Sequence, residues 1–325
     1  MKYAVFGAGP IGGTVAGYIY RAGQDVVLID PAEPITKAIQ ENGLRIKAGT
    51  TAGGERKDYD LKIRAELDAE NVDPVDVVIV SVKSSYTRSV LPGLKKICHD
   101  KTIVLSIQNG LGNTDIIQEV VSADRVGYGA VYFGGKPIGP GILESNVTYA
   151  EPYVFTGVTE ASADMMKKIS DEIRPAGFNM VYRDKAEVDL LFWNKLAMNV
   201  VVNTLGAIYM GPMDSLGSLE NGIDLQEKML KEVCAVANAK GIPLKPADIK
   251  TIPHTVTPKI TKGYRHFASM CRDVYNHRKT ENEFLCGAIV REGEKLGIPT
   301  PYTEACYLIL SIIEDTYDDE HNPTL

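Results

Sequence analysis

The chain reads as a two-domain α/β protein: an N-terminal doubly wound parallel sheet followed by an all-helical C-terminal domain. Three observations predict this. Apolar runs of strand length alternate with helix-like stretches from Lys2 to about Phe133, the pattern of a parallel sheet covered on both faces. From about Val188 onward the apolar residues recur at helical spacing instead. The 325 residues also exceed the roughly 250–300 at which a single core stops growing.

Residues 2–6 (KYAVF) form a short buried strand. Gly7-Ala8-Gly9-Pro10-Ile11-Gly12 follows, then a helix to about Ala22 that Gly23 ends. Residues 25–30 (DVVLID) form the next strand, closing on Asp30, so the first thirty residues have the size of one βαβ unit. Residues 44–64 read as a hairpin-type insertion, with Gly49, Gly53 and Gly54 at turns. Strands buried on both faces are predicted at 75–82 (VDVVIVSV) and 102–107 (TIVLSI), separated by a helix-like stretch from Tyr86 to Ile97. A further strand follows at 126–133. Residues 136–158, rich in glycine and proline with short alternating runs, suggest antiparallel strands at the sheet edge. A helix at 162–175 and a last strand at 178–182 complete the domain. The boundary falls near residue 185, dividing 1–185 from 186–325. Helical segments are expected near 188–208, 218–240, 246–250, 264–275, 280–296 and 301–313, with Gly241-Ile242-Pro243 and Gly297-Ile298-Pro299 punctuating two helix ends. The acidic stretch from Glu314 reads as a solvated, frayed tail.

Composition narrows the function. Hydrophobic residues at 44% and charged residues at 24% are ordinary for a globular chain. A net charge of -7 without any Lys/Arg run argues against nucleic acid as a partner. No apolar stretch approaches the roughly 20 residues that span a bilayer, so no membrane partner is expected. The five cysteines are scattered without a CxxC pair, and free thiols fit a reducing cytoplasm. The five histidines lack metal-ligand spacing, so no metal site is expected. The apolar helices of the second domain are compatible with a homodimer.

The GAGPIG stretch carries the first chemistry. Gly7 permits the tight turn out of the strand, Gly9 lets the backbone approach a pyrophosphate, and Gly12 lets the helix pack close to the sheet. With Pro10 and Ile11 opening the helix, its free N–H groups face the anion. The motif alone is weak, but here it follows a strand, opens a helix, and has Asp30 eighteen residues after Gly12. That context specifies a Rossmann dinucleotide site. A carboxylate at Asp30 accepts from ribose hydroxyls and repels a 2′-phosphate, and Pro31-Ala32-Glu33-Pro34 offers no cation, which favours NAD(H) over NADP(H).

Three further stretches are unusually polar: Ser81-Val82-Lys83-Ser84 and Gln108-Asn109-Gly110-Leu111-Gly112, both at strand ends, and Trp193-Asn194-Lys195 with Asn199 and Asn203. Lys195, Asn199 and Asn203 recur every four residues, along one drifting helical face within an apolar segment. Partly buried polar groups of that kind need partners.

These blocks together resemble the ketopantoate reductase (2-dehydropantoate 2-reductase) family over nearly the whole chain: GAGPIG, ENGLRI at 41–46, VKS at 82–84, QNGLGN at 108–113, WNKLAMNVVVN at 193–203, SMCRDVYNHRKTEN at 269–282 and GIPTPYTEACY at 297–307. The resemblance implies a general acid at Lys195 and a substrate-binding, organising carboxylate at Glu281. It also implies substrate contacts from Asn199, Asn203 and Ser269, an Asn109 near nicotinamide and substrate, and a cofactor-side Lys83. The implied activity is reduction of a small 2-oxo acid, 2-dehydropantoate, to (R)-pantoate in pantothenate and coenzyme A supply. The family's usual cofactor is NADPH, and it commonly carries an arginine where this chain has Asp30-Pro31. Its usual glycine before Arg278 is His277 here, and its usual Ile-Asp after the glutamate is Asn282-Glu283. The departures at Asp30 and His277 leave open a paralogue acting on another branched 2-oxo acid; a non-enzymatic NAD(H)-sensing protein is a separate alternative, against which the intact Lys195–Glu281 pair argues. Ser269 and Glu281, twelve residues apart, can serve one small substrate only if the chain between them bends.

Overall fold

The computed structural model describes residues 1–50, 56–147, 150–249 and 267–318. The chain forms two compact units, Met1–Gln108 with Asn113–Val188, and Asp189–Leu325 with Asn109–Gly112.

The first unit runs β1 (Lys2–Phe6), α1 (Pro10–Arg21), β2 (Asp25–Ile29), α2 (Glu33–Asn42), β3 (Leu44–Thr50), β4 (Arg56–Leu61), β5 (Arg64–Glu66), β6 (Val75–Val80), α3 (Leu91–Ile97) and β7 (Cys98–Ser106). It continues through α4 (Asn113–Ile117), β8 (Val126–Val131), β9 (Gly134–Gly139), β10 (Ile142–Asn146), β11 (Tyr153–Gly157), α5 (Ala163–Ile173) and β12 (Met180–Tyr182). The main sheet has the order β12-β11-β8-β7-β6-β1-β2-β5. Its strands are parallel from β8 through β5, and β11 opposes β8. This bears out the doubly wound α/β class. Side chains alternate across a strand, so Tyr3 and Val5 enter one core while Ala4 and Phe6 enter the core on the opposite face. Both sets are apolar, as a sheet covered on both sides requires.

One expectation needs correction. The 136–158 stretch does not simply extend the edge of this sheet. β9 and β10 pair antiparallel with each other, and β10 runs beside β3 in a separate four-stranded sheet, β4-β3-β10-β9. β9 is exposed along nearly its whole length, so it lacks the two-sided burial a place in the main sheet demands. Only β11 joins the main sheet, and β12 ends it. The 44–64 insertion is the antiparallel pair β3–β4; Gly53 and Gly54 lie outside the described residues, as do His254, His266, His321, Asp319 and Glu320.

The second unit is helical. α6 (Lys185–Met198) crosses the division between Val188 and Asp189 and passes into a π-helical turn, Asn199–Asn203. α7 (Thr204–Tyr209), α8 (Met213–Leu216), α9 (Glu220–Ala239), α10 (Ser269–Tyr275), α11 (Cys286–Leu296) and α12 (Pro301–Asp315) follow. Their apolar faces meet in one core that includes Trp193, Leu196, Val200, Met229, Val233, Ile289 and Leu310. No helix among the described residues is long and apolar enough to cross a membrane.

Candidate functional site

In the first unit the predicted dinucleotide residues gather at the carboxyl ends of β1, β2 and β6, where ligands bind in open α/β sheets. Gly7 has φ +101, a conformation L side chains rarely adopt, and a Cβ there would press on the Ser81–Val82 peptide. A Cβ at Gly12 would overlap the Gly7 carbonyl oxygen and touch Ser81, so the helix approaches the strand as closely as backbone allows. A Cβ at Gly9, the N-cap of α1, would meet nothing within 4 Å. That open space beside a helix N-terminus suits a diphosphate, and the residues present fit a dinucleotide.

Asp30 lies one residue beyond β2. Its Oδ2 accepts from the Ala8 N–H at 2.7 Å and its Oδ1 from the Ala32 N–H at 2.9 Å. The carboxylate therefore clamps the glycine loop, a duty the sequence reading did not foresee, and each oxygen keeps a lone pair for a ribose hydroxyl. Lys83 precedes the 3-10 turn Ser84–Val90 after β6. Behind it lies a buried polar network: Thr87 Oγ1 is 2.8 Å from both the Ser84 carbonyl and Asn113 Oδ1 and accepts from Gln108 Nε2 at 2.7 Å, while Asn113 Nδ2 donates to Ser84 Oγ. This network braces the loops that follow β6 and β7, and explains why both strand ends are rich in amides and hydroxyls.

In the second unit Lys195, Asn199, Asn109 and Glu281 form one hydrogen-bonded cluster. Lys195 Nζ donates to Asn109 Oδ1 at 3.1 Å, Asn199 Nδ2 approaches the same oxygen at 3.4 Å, and Asn109 Nδ2 donates to Glu281 Oε2 at 3.3 Å. Those contacts orient the Asn109 amide. The backbone holds the register: Leu111 N–H donates to the Phe284 carbonyl at 2.8 Å, and Gly110, at φ +84, lies so close to Phe284 that a Cβ would overlap it. Glu281 is 7% exposed. Burial pushes the Lys195 ammonium down to about 8, and the Glu281 carboxylate opposes that fall.

The four-residue stripe is realised with one change. An α-helix carries a residue at i+4 about 40° past residue i; here the chain widens to a π-helical turn from Asn199 to Asn203, which takes back part of that drift. Such turns occur often at functional sites. Asn199 and Asn203 are both buried, whereas Ser269 opens α10 with an exposed side chain. Neither Asn203 nor Ser269 shares a hydrogen bond with Lys195, Asn109 or Glu281 among the described residues. The bend required between Ser269 and Glu281 is present: α10 stops at Tyr275, and His277 turns the chain at φ +48. That left-handed conformation favours glycine, and His277 stacks there on Tyr317. Arg278 pairs at 3.3 Å with the buried Asp273, and Glu283 binds Arg291 and Tyr307.

The acidic tail also reads differently in the structure. Glu314 still belongs to α12, and its side chain is only 6% exposed. It accepts from the Thr280 N–H at 2.9 Å and from the Thr280 hydroxyl. No local signal marks this contact in the sequence, because the partners lie 34 residues apart.

Residues 3–152 match the family described as "Ketopantoate reductase PanE/ApbA", and residues 187–314 match its C-terminal part, "Ketopantoate reductase PanE/ApbA C terminal". The chain belongs to the ketopantoate reductase family. It is an oxidoreductase. A 2-dehydropantoate 2-reductase of Streptococcus pyogenes serotype M18 is 26% identical over 96% of this chain and 97% of its own length. Two solved structures extend the likeness. A D-mandelate dehydrogenase with NADH and anilino(oxo)acetate has a TM-score of 0.86 at 26% identity, covering 98% of this reductase and 99% of that chain. A PanE/ApbA family ketopantoate reductase from Ralstonia eutropha JMP134 has a TM-score of 0.82 at 28% identity, covering 98% and 99%.

Proposed function

We propose that this reductase converts 2-dehydropantoate to (R)-pantoate, with the first unit holding a nicotinamide dinucleotide and the second supplying the substrate-binding and acid groups. The observation that carries this reading is the half-buried Lys195–Asn109–Glu281 arrangement. When bound, the reduced nicotinamide supplies a hydride to the ketone carbon. Negative charge then develops on the ketone oxygen, and Lys195 stabilises it and donates a proton from Nζ. Glu281 favours the charged lysine, which must carry the proton to be given. Asn109, held between lysine and carboxylate, fixes their mutual orientation. Asn199, Asn203 and Ser269 are assigned to the hydroxyl and carboxylate groups of the substrate, as in the family pattern.

Asp30 supports NAD(H) as the cofactor. Its carboxylate lies just past β2, with one oxygen on the glycine loop at Ala8 and the other on the Ala32 N–H, and a 2′-phosphate brought beside it meets like charge. The family's usual preference is NADP(H), so the two are compared directly: purified protein with 2-dehydropantoate, following NADH and NADPH oxidation in parallel. Turnover with NADPH alone discards the argument from Asp30 while keeping the reductase. Replacing Lys195 with Ala is expected to lower kcat by orders of magnitude and leave dinucleotide affinity unchanged; near-normal kcat defeats the acid role.

The likeness to a D-mandelate dehydrogenase favours a second reading, a reductase of another 2-oxo acid on the same machinery. A panel of branched and aromatic 2-oxo acids separates the two by kcat/KM.

A further inference from the structure

We infer that Glu314 is a positioning residue for Glu281, and that the C-terminal end of α12 thereby sets the carboxylate beside Lys195. The inference rests on the reading of Lys195 and Glu281 above and names a residue outside it. Both neighbours of Glu281 in the chain are tied to α12. On one side, Glu314 Oε1 receives the Thr280 backbone N–H and the Thr280 hydroxyl. On the other, Asn282 Nδ2 donates to the Tyr307 carbonyl at 2.9 Å and to Ser311 Oγ at 3.2 Å. The Thr280 hydroxyl also accepts the Asn282 N–H at 3.0 Å, closing a loop around Glu281 itself. Thr280 and Asn282 are each 2% exposed, so these bonds are made away from bulk water, where they hold geometry most firmly.

The segment has no regular structure of its own to do this. α10 ends at Tyr275, and only a short 3-10 turn, Asn282–Phe284, precedes α11. On the side away from α12, the Leu111–Phe284 backbone bond and the Asn109–Glu281 side-chain bond hold the same segment, so Glu281 is gripped from two directions. Tyr307, Ser311 and Glu314 lie at spacings of four and three, along one helix face, as a single recognition edge for one loop needs.

The other charged and titratable groups at this joint are already engaged. Lys279 lies 3.4 Å from Glu314 Oε2, Arg278 is paired with Asp273, and His277 stacks on Tyr317, whose phenol is pushed up to about 12 by burial, with Glu314 and Asp273 adding to the rise. On α9, Glu232 is committed to the start of α12. The charged group acting on Lys195 is Glu281. Displacing Glu281 therefore reports at Lys195, which a merely structural role for Glu314 does not require.

The test uses the full-length Glu314→Gln and Thr280→Val variants, alone and in a Glu281→Gln background, with unfolding midpoints recorded for each. The Lys195 titration is followed by the side-chain shift in ¹³C-lysine-labelled protein, and kcat and KM for 2-dehydropantoate are measured across pH. Both single variants are expected to lower the Lys195 titration midpoint by about half a pH unit or more and to reduce kcat by about threefold at pH 9, above that midpoint, because a displaced carboxylate no longer favours the charged acid. In the Glu281→Gln background neither substitution should add to the effect. A Lys195 midpoint unchanged in both folded variants overturns the inference, as does full additivity with Glu281→Gln. If Glu314→Gln does not fold, Thr280→Val, which removes the hydroxyl's contacts to Glu314 and to the Asn282 N–H but keeps the backbone bond to Glu314, decides alone. Absence of 2-dehydropantoate turnover in the unmodified enzyme sinks the substrate reading but leaves the NMR titration to judge Glu314.

Discussion

Reduction by this enzyme should fail as the pH rises through about 8. The proposed acid is Lys195, which burial pushes down from 10.5 to about 8 against the pull of Glu281. The difference amounts to about 3 kcal/mol against the charged form. The proton must be on the lysine to be delivered, so the sign is fixed: activity is full below the pKa and lost above it. An acid of pKa near 8 is about 90% protonated at pH 7 and about 10% at pH 9, whereas an ordinary exposed lysine would still be almost fully protonated there. The assay is kcat/KM for 2-dehydropantoate between pH 6 and 10, since that parameter reports groups of the free enzyme. A roughly tenfold loss between pH 7 and 9 is expected. Glu281→Gln removes the charge that holds the pKa up, so its basic limb must move to lower pH. A profile flat to pH 9.5, or a limb that moves upward in Glu281→Gln, would refute the assignment of Lys195 as the acid in this environment.

Three other outcomes follow from the same geometry. Lys195→Met should be no less stable than the parent at pH 7, because a lysine whose folded pKa is depressed costs stability below that pKa and is relieved only between about 8 and 10.5; chemical denaturation at pH 7 and 9.5 checks both halves. Gly9→Ala should keep its unfolding midpoint yet bind dinucleotide at least about tenfold more weakly, since the added methyl meets no protein atom but fills the space assigned to the diphosphate, while Gly12→Ala, which drives a methyl into the Gly7 carbonyl, should lose about 3 kcal/mol of stability. Equal stability of the two variants contradicts the close packing of α1 on β1. Glu232→Ala should lower the stability of the helical unit by about 3 kcal/mol, because Glu232 receives the Tyr302 and Thr303 N–H groups and the Thr303 hydroxyl at the start of α12; a loss below about 0.5 kcal/mol would show those N–H groups find other partners.

What was legible in the sequence follows from how local each signal is. The strand at 75–80 and the 102–106 part of β7 are buried on both faces, so their composition declares them. The glycine loop declares itself because each glycine answers a steric demand within a few residues. The second sheet was not legible. β3 and β10 are separated by about ninety residues and pair in parallel, and no period within either strand says which sheet it joins. The 3-10 and π-helical turns were not foreseen either, since the apolar spacing of Val200, Val201 and Leu205 suits a continuous helix as well as a locally widened one.

The candidate site shows the same limit in sharper form. Lys195, Asn199 and Asn109 stand out because amides and a lysine in apolar surroundings demand partners, and in the structure they partner one another. Glu314 does not stand out. It begins an acidic run in the last turn of a helix, where an exposed carboxylate meets the negative end of the helix dipole, and only the fold reveals that Thr280 lies against it. His277 sits between these extremes. Where the family carries glycine, this chain turns at φ +48 with a histidine and stacks its ring on Tyr317, two residues past the end of α12. The turn that brings Glu281 back toward Asn109 is thus made here by a non-glycine residue, which disfavours φ > 0 by roughly 1 kcal/mol. The α12 contacts on Thr280 and Asn282 compensate for that strain, and they bind the same short segment that carries Glu281. A His277→Gly substitution should therefore raise stability without changing the Lys195 titration, whereas loosening Glu314 should do the reverse. The two changes touch one loop from opposite ends, and only the second is expected to act on Lys195.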